Sequence, residues 1–132
     1  MARGIINLFK KEDFAGNMKN NSKLKYLAMM QSMDTEIGRL LSSMSKTSLE
    51  NTVILFIGDN GTPKRVITGY KKYQGKGSLY QGGINTPFFV SGKFVKRKNE
   101  IDNSLINSTD LFATILELAG QNINQMHDSK SV

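Results

Sequence analysis

Asp59, Asn60 and Gly61 follow directly on an apolar, β-branched run, Val53–Ile57. A carboxylate and an amide oxygen are hard donors of the kind that hold calcium or magnesium. The glycine lets the backbone turn sharply at that point, and in open α/β sheets ligands sit beyond the carboxyl ends of the strands. The same triplet also suits an Asx-type turn that only closes the strand. Both readings stand on these three residues. Further along, Lys76 lies between Gly75 and Gly77. Glycines on either side give its ammonium access to an anion without competition from bulky neighbours. The spacing is not that of a P-loop. Alone, the segment from Lys76 to Gly83 (KGSLYQGG) reads as a flexible basic loop.

Taken together, the blocks say more. NTVILFIGDNG, then KGSLYQGGINTPFFVSG, then NSTDLFATILELAG closely resemble the later part of the sulfatase family, within the alkaline-phosphatase-like superfamily of metal-dependent hydrolases. Upstream, MQSMDTEIGRLLSSM resembles the helix that precedes the metal-binding strand. Four blocks in the family's order run from about Tyr26 to Gly120. The resemblance implies an α/β fold, a partial alkaline-phosphatase-like/sulfatase sheet flanked by helices. It implies that Asp59 and Asn60 are the second pair of metal ligands, for calcium or magnesium. It also implies that Lys76 contacts the sulfate group of a sulfated small molecule or glycan. Tyr80, Gly82 and Gly83 match positions that shape the loop. Gln81 stands where the family often has Glu, which removes one negative charge near the site.

Much of the family's machinery has no counterpart here. Its members carry an early Asp pair for the metal and a Cys/Ser-x-Pro-x-Arg motif whose first residue becomes the formylglycine nucleophile. They also carry upstream Lys and His residues around the sulfate. This chain has no cysteine, so no formylglycine can arise from one. The Pro-x-Arg in Gly61-Thr62-Pro63-Lys64-Arg65 has glycine at the nucleophile position and belongs to the metal loop, so it is a coincidental match. The expectation is a truncated sulfatase portion that is inactive alone and holds its cation weakly. Two alternatives stay open: a non-enzymatic remnant or assembly module, and a relative acting on phosphate esters or phosphonates. Asp-Asn, in place of the Asp-His of phosphatase branches, favours the sulfatase branch.

At 132 residues, 39% hydrophobic and 22% charged, the composition is that of a globular domain. A net charge of +7 raises the question of nucleic acid or membrane partners. The lysines read as scattered, with short clusters at Lys10-Lys11, Lys71-Lys72 and Lys96-Arg97-Lys98, and no aromatic interleaving of a base-stacking kind. No nucleic acid and no membrane partner is therefore expected, and the positive field suits anionic substrates. No apolar run has the length of a membrane span. Met1 to Lys11 lacks the pattern of a signal peptide, while complete relatives are often periplasmic or secreted, so localisation is left open.

The elements that must position Asp59, Asn60 and Lys76 follow from periodicity. Residues 1–22 read as an N-terminal arm or loop, 23–120 as a partial sulfatase-like α/β domain, and 121–132 as a frayed polar tail that holds the sole histidine, His127. Lys23 to Lys46 is expected to be one helix, its stripe of Leu27, Met30, Met33, Ile37, Leu40, Leu41 and Met44 packed into a core. Thr47 to Asn51 should turn into the Val53–Ile57 strand, buried on both faces. Residues 61–75 form a functional loop in which Tyr70 and Tyr73 either line a pocket or face solvent. A second strand is expected at Pro87–Ser91. A last helix is expected to be capped by Ser108 or Thr109 and stopped at Gly120, with Asp110 serving its dipole. Two strands make too small a sheet to stand alone, so a homo-oligomer or a complementing chain is expected.

Overall fold

In a computed structural model, residues 21–121 and 128–132 are described. Most of the expected N-terminal arm, and His127, lie outside the described residues. The chain is a mixed α/β protein in two compact units, Met1–Lys98 and Asn99–Val132.

In the first unit, Asn21 caps helix α1 (Ser22–Ser43), its side chain accepting from the Leu24 amide at 3.1 Å. The helix ends earlier than its periodicity suggests. Met44 is extended, and the Ser45 hydroxyl accepts from the Ser48 amide at 3.0 Å, which starts a separate helix, α2 (Lys46–Glu50). Serine favours a cap over a helix interior because its oxygen competes for backbone donors. The apolar stripe of α1 does not find the expected core: no residue of the helix is buried, and Leu40 is 63% exposed.

Strand β1 (Val53–Ile57) has the bounds its β-branched run predicts, and pairs antiparallel with β2 (Phe88–Gly92). Leu55 faces Val90 and Phe56 faces Phe89, whose rings lie 5.8 Å apart as a cross-strand pair. Bonds from Gly58 to the Pro87 carbonyl and from Lys93 to the Thr52 carbonyl, both 2.9 Å, extend the ladder past each end. Among the described residues no third strand joins this pair. The expected double-sided burial of β1 is accordingly not seen; its residues are half-buried, and Ile57 is exposed. Apolar strand composition sets what a strand needs to bury, while the neighbours that bury it come from elsewhere.

In the second unit, Thr109 stands at the N-cap of helix α4 (Asp110–Leu118), as one of the two expected caps, but its side chain makes no capping bond. Asn107 supplies it: its side chain accepts from Thr109 N at 3.1 Å, and the Asp110 carboxylate accepts from Asn107 N at 2.9 Å. This reciprocal pair is a capping box with Asn and Asp in its two places. Gly120, at φ 74°, ends the helix as expected, with Gln121 N bonded to Leu116 O and Gly120 N to Glu117 O. The described end of the tail is not frayed. The Ser129 hydroxyl accepts from Ala113 N at 3.1 Å and donates to Thr109 O at 2.7 Å, bridging a gap in the helical ladder. Lys130 N donates to Asp110 and Val132 N to Thr114. Ala113 and Thr114, at 0% and 6% exposure, are the buried residues of this helix.

Candidate functional site

The site is built in the connection between the two paired strands, residues 58–87, whose neck is closed by the Gly58–Pro87 hydrogen bond. Asp59 and Asn60 come directly off the end of β1, Asp59 exposed and Asn60 half-buried. The next residue decides the geometry. Gly61 is buried, and a Cβ there would collide with the carbonyl oxygens of Gly82 and Gly83. Only glycine lets the Asp-Asn loop lie this close to the 82–83 turn.

Thr62 then joins the two halves. Its amide donates to Gly82 O at 3.0 Å, and its carbonyl accepts from Lys76 N at 2.8 Å. Lys76 is therefore anchored by its own backbone two residues from Asn60. Gly75, also buried, sits against this splice: a Cβ on it would come within 2.8 Å of Thr62 O. Gly82, the third buried glycine, is pressed on Gln74 O and Ile67, and Gly83 lies against Ser78. In the first unit, the buried residues among those described are these three glycines: Gly61, Gly75 and Gly82. Close backbone packing at the site takes the place that a side-chain core would usually occupy.

Between the two halves, Pro63 opens a turn, its carbonyl accepting from Val66 and Ile67 at 2.9 and 3.1 Å. The segment called a loop from sequence contains a short 3-10 helix, Lys72–Gln74, held by Lys71 N donating to the Gln74 side chain at 2.9 Å. A one-turn helix, α3 (Gln81–Ile84), follows from Tyr80 and begins with Gln81, which is exposed. Tyr70 and Tyr73 are 47% and 56% exposed, and Tyr73 meets Tyr80 edge to face at 5.6 Å. They line the outside of the loop. Of their two sequence readings, the solvent-facing one describes their place.

The structure thus brings the Asp59-Asn60 loop and the Lys76 loop together through Thr62. No side-chain hydrogen bond or ion pair engages Asp59, Asn60 or Lys76 among the described residues, where ion pairs join Glu36 to Arg39 and Lys46 to Glu50. Their donor and acceptor atoms are free to meet a ligand. Among the described residues no three Asp, Glu, His or Cys side chains gather into a cation cage. An Asp carboxylate and an Asn carbonyl fit a hard cation by type, and supply only part of the six to eight oxygens calcium takes. Asp110, read from sequence as serving the helix dipole, lies at the start of α4. The sequence did not point to Thr62, and pointed to Gly75 only as a small neighbour of Lys76. The glycine spacing, two residues or fewer from each candidate side chain, was the available signal.

The model of the family described as Sulfatase matches residues 7–121. An arylsulfatase of Klebsiella aerogenes is 30% identical over 81% of this chain and 31% of its own length. An endo-4-O-sulfatase of Bacteroides thetaiotaomicron is 30% identical over 79% of this chain and 20% of its own. Mouse arylsulfatase J is 26% identical over 80% and 18% respectively. The chain spans between about a fifth and a third of the length of the curated relatives it matches.

Proposed function

The chain belongs to the sulfatase family, and on that premise we propose that it is the portion of a sulfuric ester hydrolase that presents half of the metal and sulfate site. Asp59 and Asn60 are the cation ligands in this reading, and Lys76 is the sulfate contact. One observation carries it: Thr62 bonds the end of the Asp59-Asn60 loop to the backbone of Lys76, so the side chains meant for cation and sulfate leave one spliced unit. A bound cation supplies positive charge that draws electron density from a sulfate oxygen. Lys76 adds a second fixed positive charge from its glycine-flanked loop, and Asp59 and Asn60 orient the ion.

The nucleophile and the remaining cation ligands come, in this proposal, from polypeptide beyond these 132 residues. The absence of cysteine and the partial donor set support that reading. So does the burial pattern: among the described residues the one buried hydrophobic side chain is Ala113. A domain of this size ordinarily encloses far more. The complement is a second sulfatase segment or a second copy of this chain. The relatives' names include both an arylsulfatase and an endo-4-O-sulfatase, so the similarity does not choose between a small and a polymeric sulfate ester.

Calorimetric titration of the full chain with calcium tests the site. Two ligands should give binding at about millimolar strength, the range of weak calcium modules, and Asp59→Ala should abolish it. Micromolar binding, or binding indifferent to Asp59→Ala, would show that the ligands lie elsewhere.

A further inference from the structure

From Asn60 to Asn99 the chain carries nine lysines and arginines and no aspartate or glutamate; elsewhere nine basic residues face eleven acidic ones. The whole positive balance therefore resides in the stretch that runs from just past Asp59 through the rest of the candidate site and β2. Lysines that read as scattered along the sequence are gathered by the fold. Lys64 has its Cα 3.5 Å from where a Cβ on Gly75 would stand, and Lys76 follows Gly75 directly. The carbonyl of Lys72 accepts from Gly75 N at 3.4 Å, and that of Lys71 from Gln74 N at 2.9 Å. The backbones of Lys64, Lys72 and Lys76 thus meet at one buried glycine, with Arg65 beside Lys64 and Lys71 beside Lys72. All five side chains are exposed, and none is paired with a carboxylate among the described residues. Tyrosines are set among them. The Lys71 ammonium lies 5.9 Å from the ring centre of Tyr73, which packs on Tyr80, and the Tyr70 ring lies beside Gly82.

We propose that this wall of Lys64, Arg65, Lys71 and Lys72 with Tyr70 and Tyr73 is a binding surface for a sulfated oligosaccharide, holding sulfate groups beyond the one at Lys76. Charge complementarity selects a polyanion, since several exposed, unpaired cations gathered in one loop focus a positive field that acidic neighbours would otherwise cancel. Lysines engage anionic groups as mobile point charges and tolerate variable sulfate positions. Exposed tyrosines add flat apolar faces with hydroxyl donors, which suit sugar rings. Tyr73 and Tyr80 meet at 74°, so they do not form the run of open faces on which successive bases stack. The choice of sulfate over another anion rests on the function proposed above; the gathered charge does not.

The test measures binding of the full chain to four probes: a disaccharide with one sulfate ester, a hexasaccharide of the same repeat with three, the desulfated hexasaccharide, and a single-stranded oligonucleotide of the same charge. The sulfated hexasaccharide should bind about tenfold or more tightly than the disaccharide, an advantage that shrinks as salt rises. The double variant Lys71→Gln/Lys72→Gln should bring that ratio down about tenfold, as expected for two exposed charge contacts. Lys76→Ala should weaken both sulfated probes and leave the ratio. A ratio near one in the native chain, a ratio indifferent to the double variant, or tighter binding of the oligonucleotide would overturn the proposal. A retained ratio with no response to Lys76→Ala would instead count against the sulfate role of Lys76 alone. Protection of Lys71 and Lys72 from acylation by the hexasaccharide, with Lys23 on α1 as internal reference, gives a second readout independent of affinity. Equal labelling with and without the ligand would also overturn the proposal.

Discussion

One added methyl at Gly61 should part the two loops of the candidate site. In Gly61→Ala the new Cβ would run into two backbone carbonyls, Gly82 O and Gly83 O, and neither can swing aside as a side chain would. The strand end must retreat, and the splice at Thr62 goes with it: the 3.0 Å bond to Gly82 and the 2.8 Å bond from Lys76. Each backbone hydrogen bond contributes about 0.5–1.5 kcal/mol net, so the pair is worth about 2 kcal/mol. That is the same order as the 1–3 kcal/mol or so of an overpacked site. Amide hydrogen exchange reads it directly, and Thr62 and Lys76 should exchange about 30-fold faster at 1.4 kcal/mol or so per decade. The control is Gly69→Ala. Gly69 sits at φ 78° with open space around its Cβ position, so alanine there adds backbone strain of about 1–2 kcal/mol without touching the splice. Exchange at Thr62 and Lys76 unaltered by Gly61→Ala, or equally accelerated by Gly69→Ala, would refute close glycine packing as the device that unites the loops.

At the other unit, Ser129→Ala removes the hydroxyl that bridges Ala113 N and Thr109 O. A buried amide left without a partner costs about 1–3 kcal/mol, and exchange at Ala113 should rise accordingly. The Asp110 carboxyl is held below its ordinary value of 3.8 by the amides of Asn107 and Lys130, which outweigh the opposing effect of burial, while the Lys130 charge adds the least. A depressed folded value means that this contribution is fully present above about pH 4 and is lost as pH falls through the lowered value. The Lys130 amide signal should therefore shift as pH falls below about 4, and Asp110→Asn should remove that titration. Sedimentation of the full chain at micromolar concentration should show association, because large apolar side chains such as Leu79, Ile101 and Leu105 are at least 90% exposed. A compact monomer with a cooperative thermal transition would contradict it. The purified chain with calcium should not turn over an aryl sulfate above buffer, since no nucleophile of the family's kind is present. Turnover abolished by Asp59→Ala would contradict that.

Local chemistry was legible in the sequence wherever it depends on neighbours along the chain. The β-branched run Val53–Ile57 became β1 without adjustment, and Gly120 stopped α4 because only a residue at ease at positive φ closes that turn cheaply. That the Asp59-Asn60 loop and the Lys76 loop lie together was implied only by family resemblance, since nothing in their spacing requires contact. Near-equivalent local choices were not legible. Asn107, Ser108 and Thr109 can all offer a capping oxygen, and the box with Asp110 gave that bond to Asn107 while Thr109 holds the N-cap position. Ser45 could continue the long helix or start a new one, and its bond to Ser48 N made it a cap.

What only the tertiary structure decided is which distant atoms meet. The sequence by itself determined that Gly61, Gly75, Gly82 and Gly83 permit sharp turns. It did not determine that three of them lie buried against one another's loops, because a glycine records freedom and not its neighbour. Likewise the apolar stripe of α1 and the faces of β1 specified a demand for burial. The fold of these residues leaves that demand largely unmet, since apolar surface is covered only by groups brought to it through space.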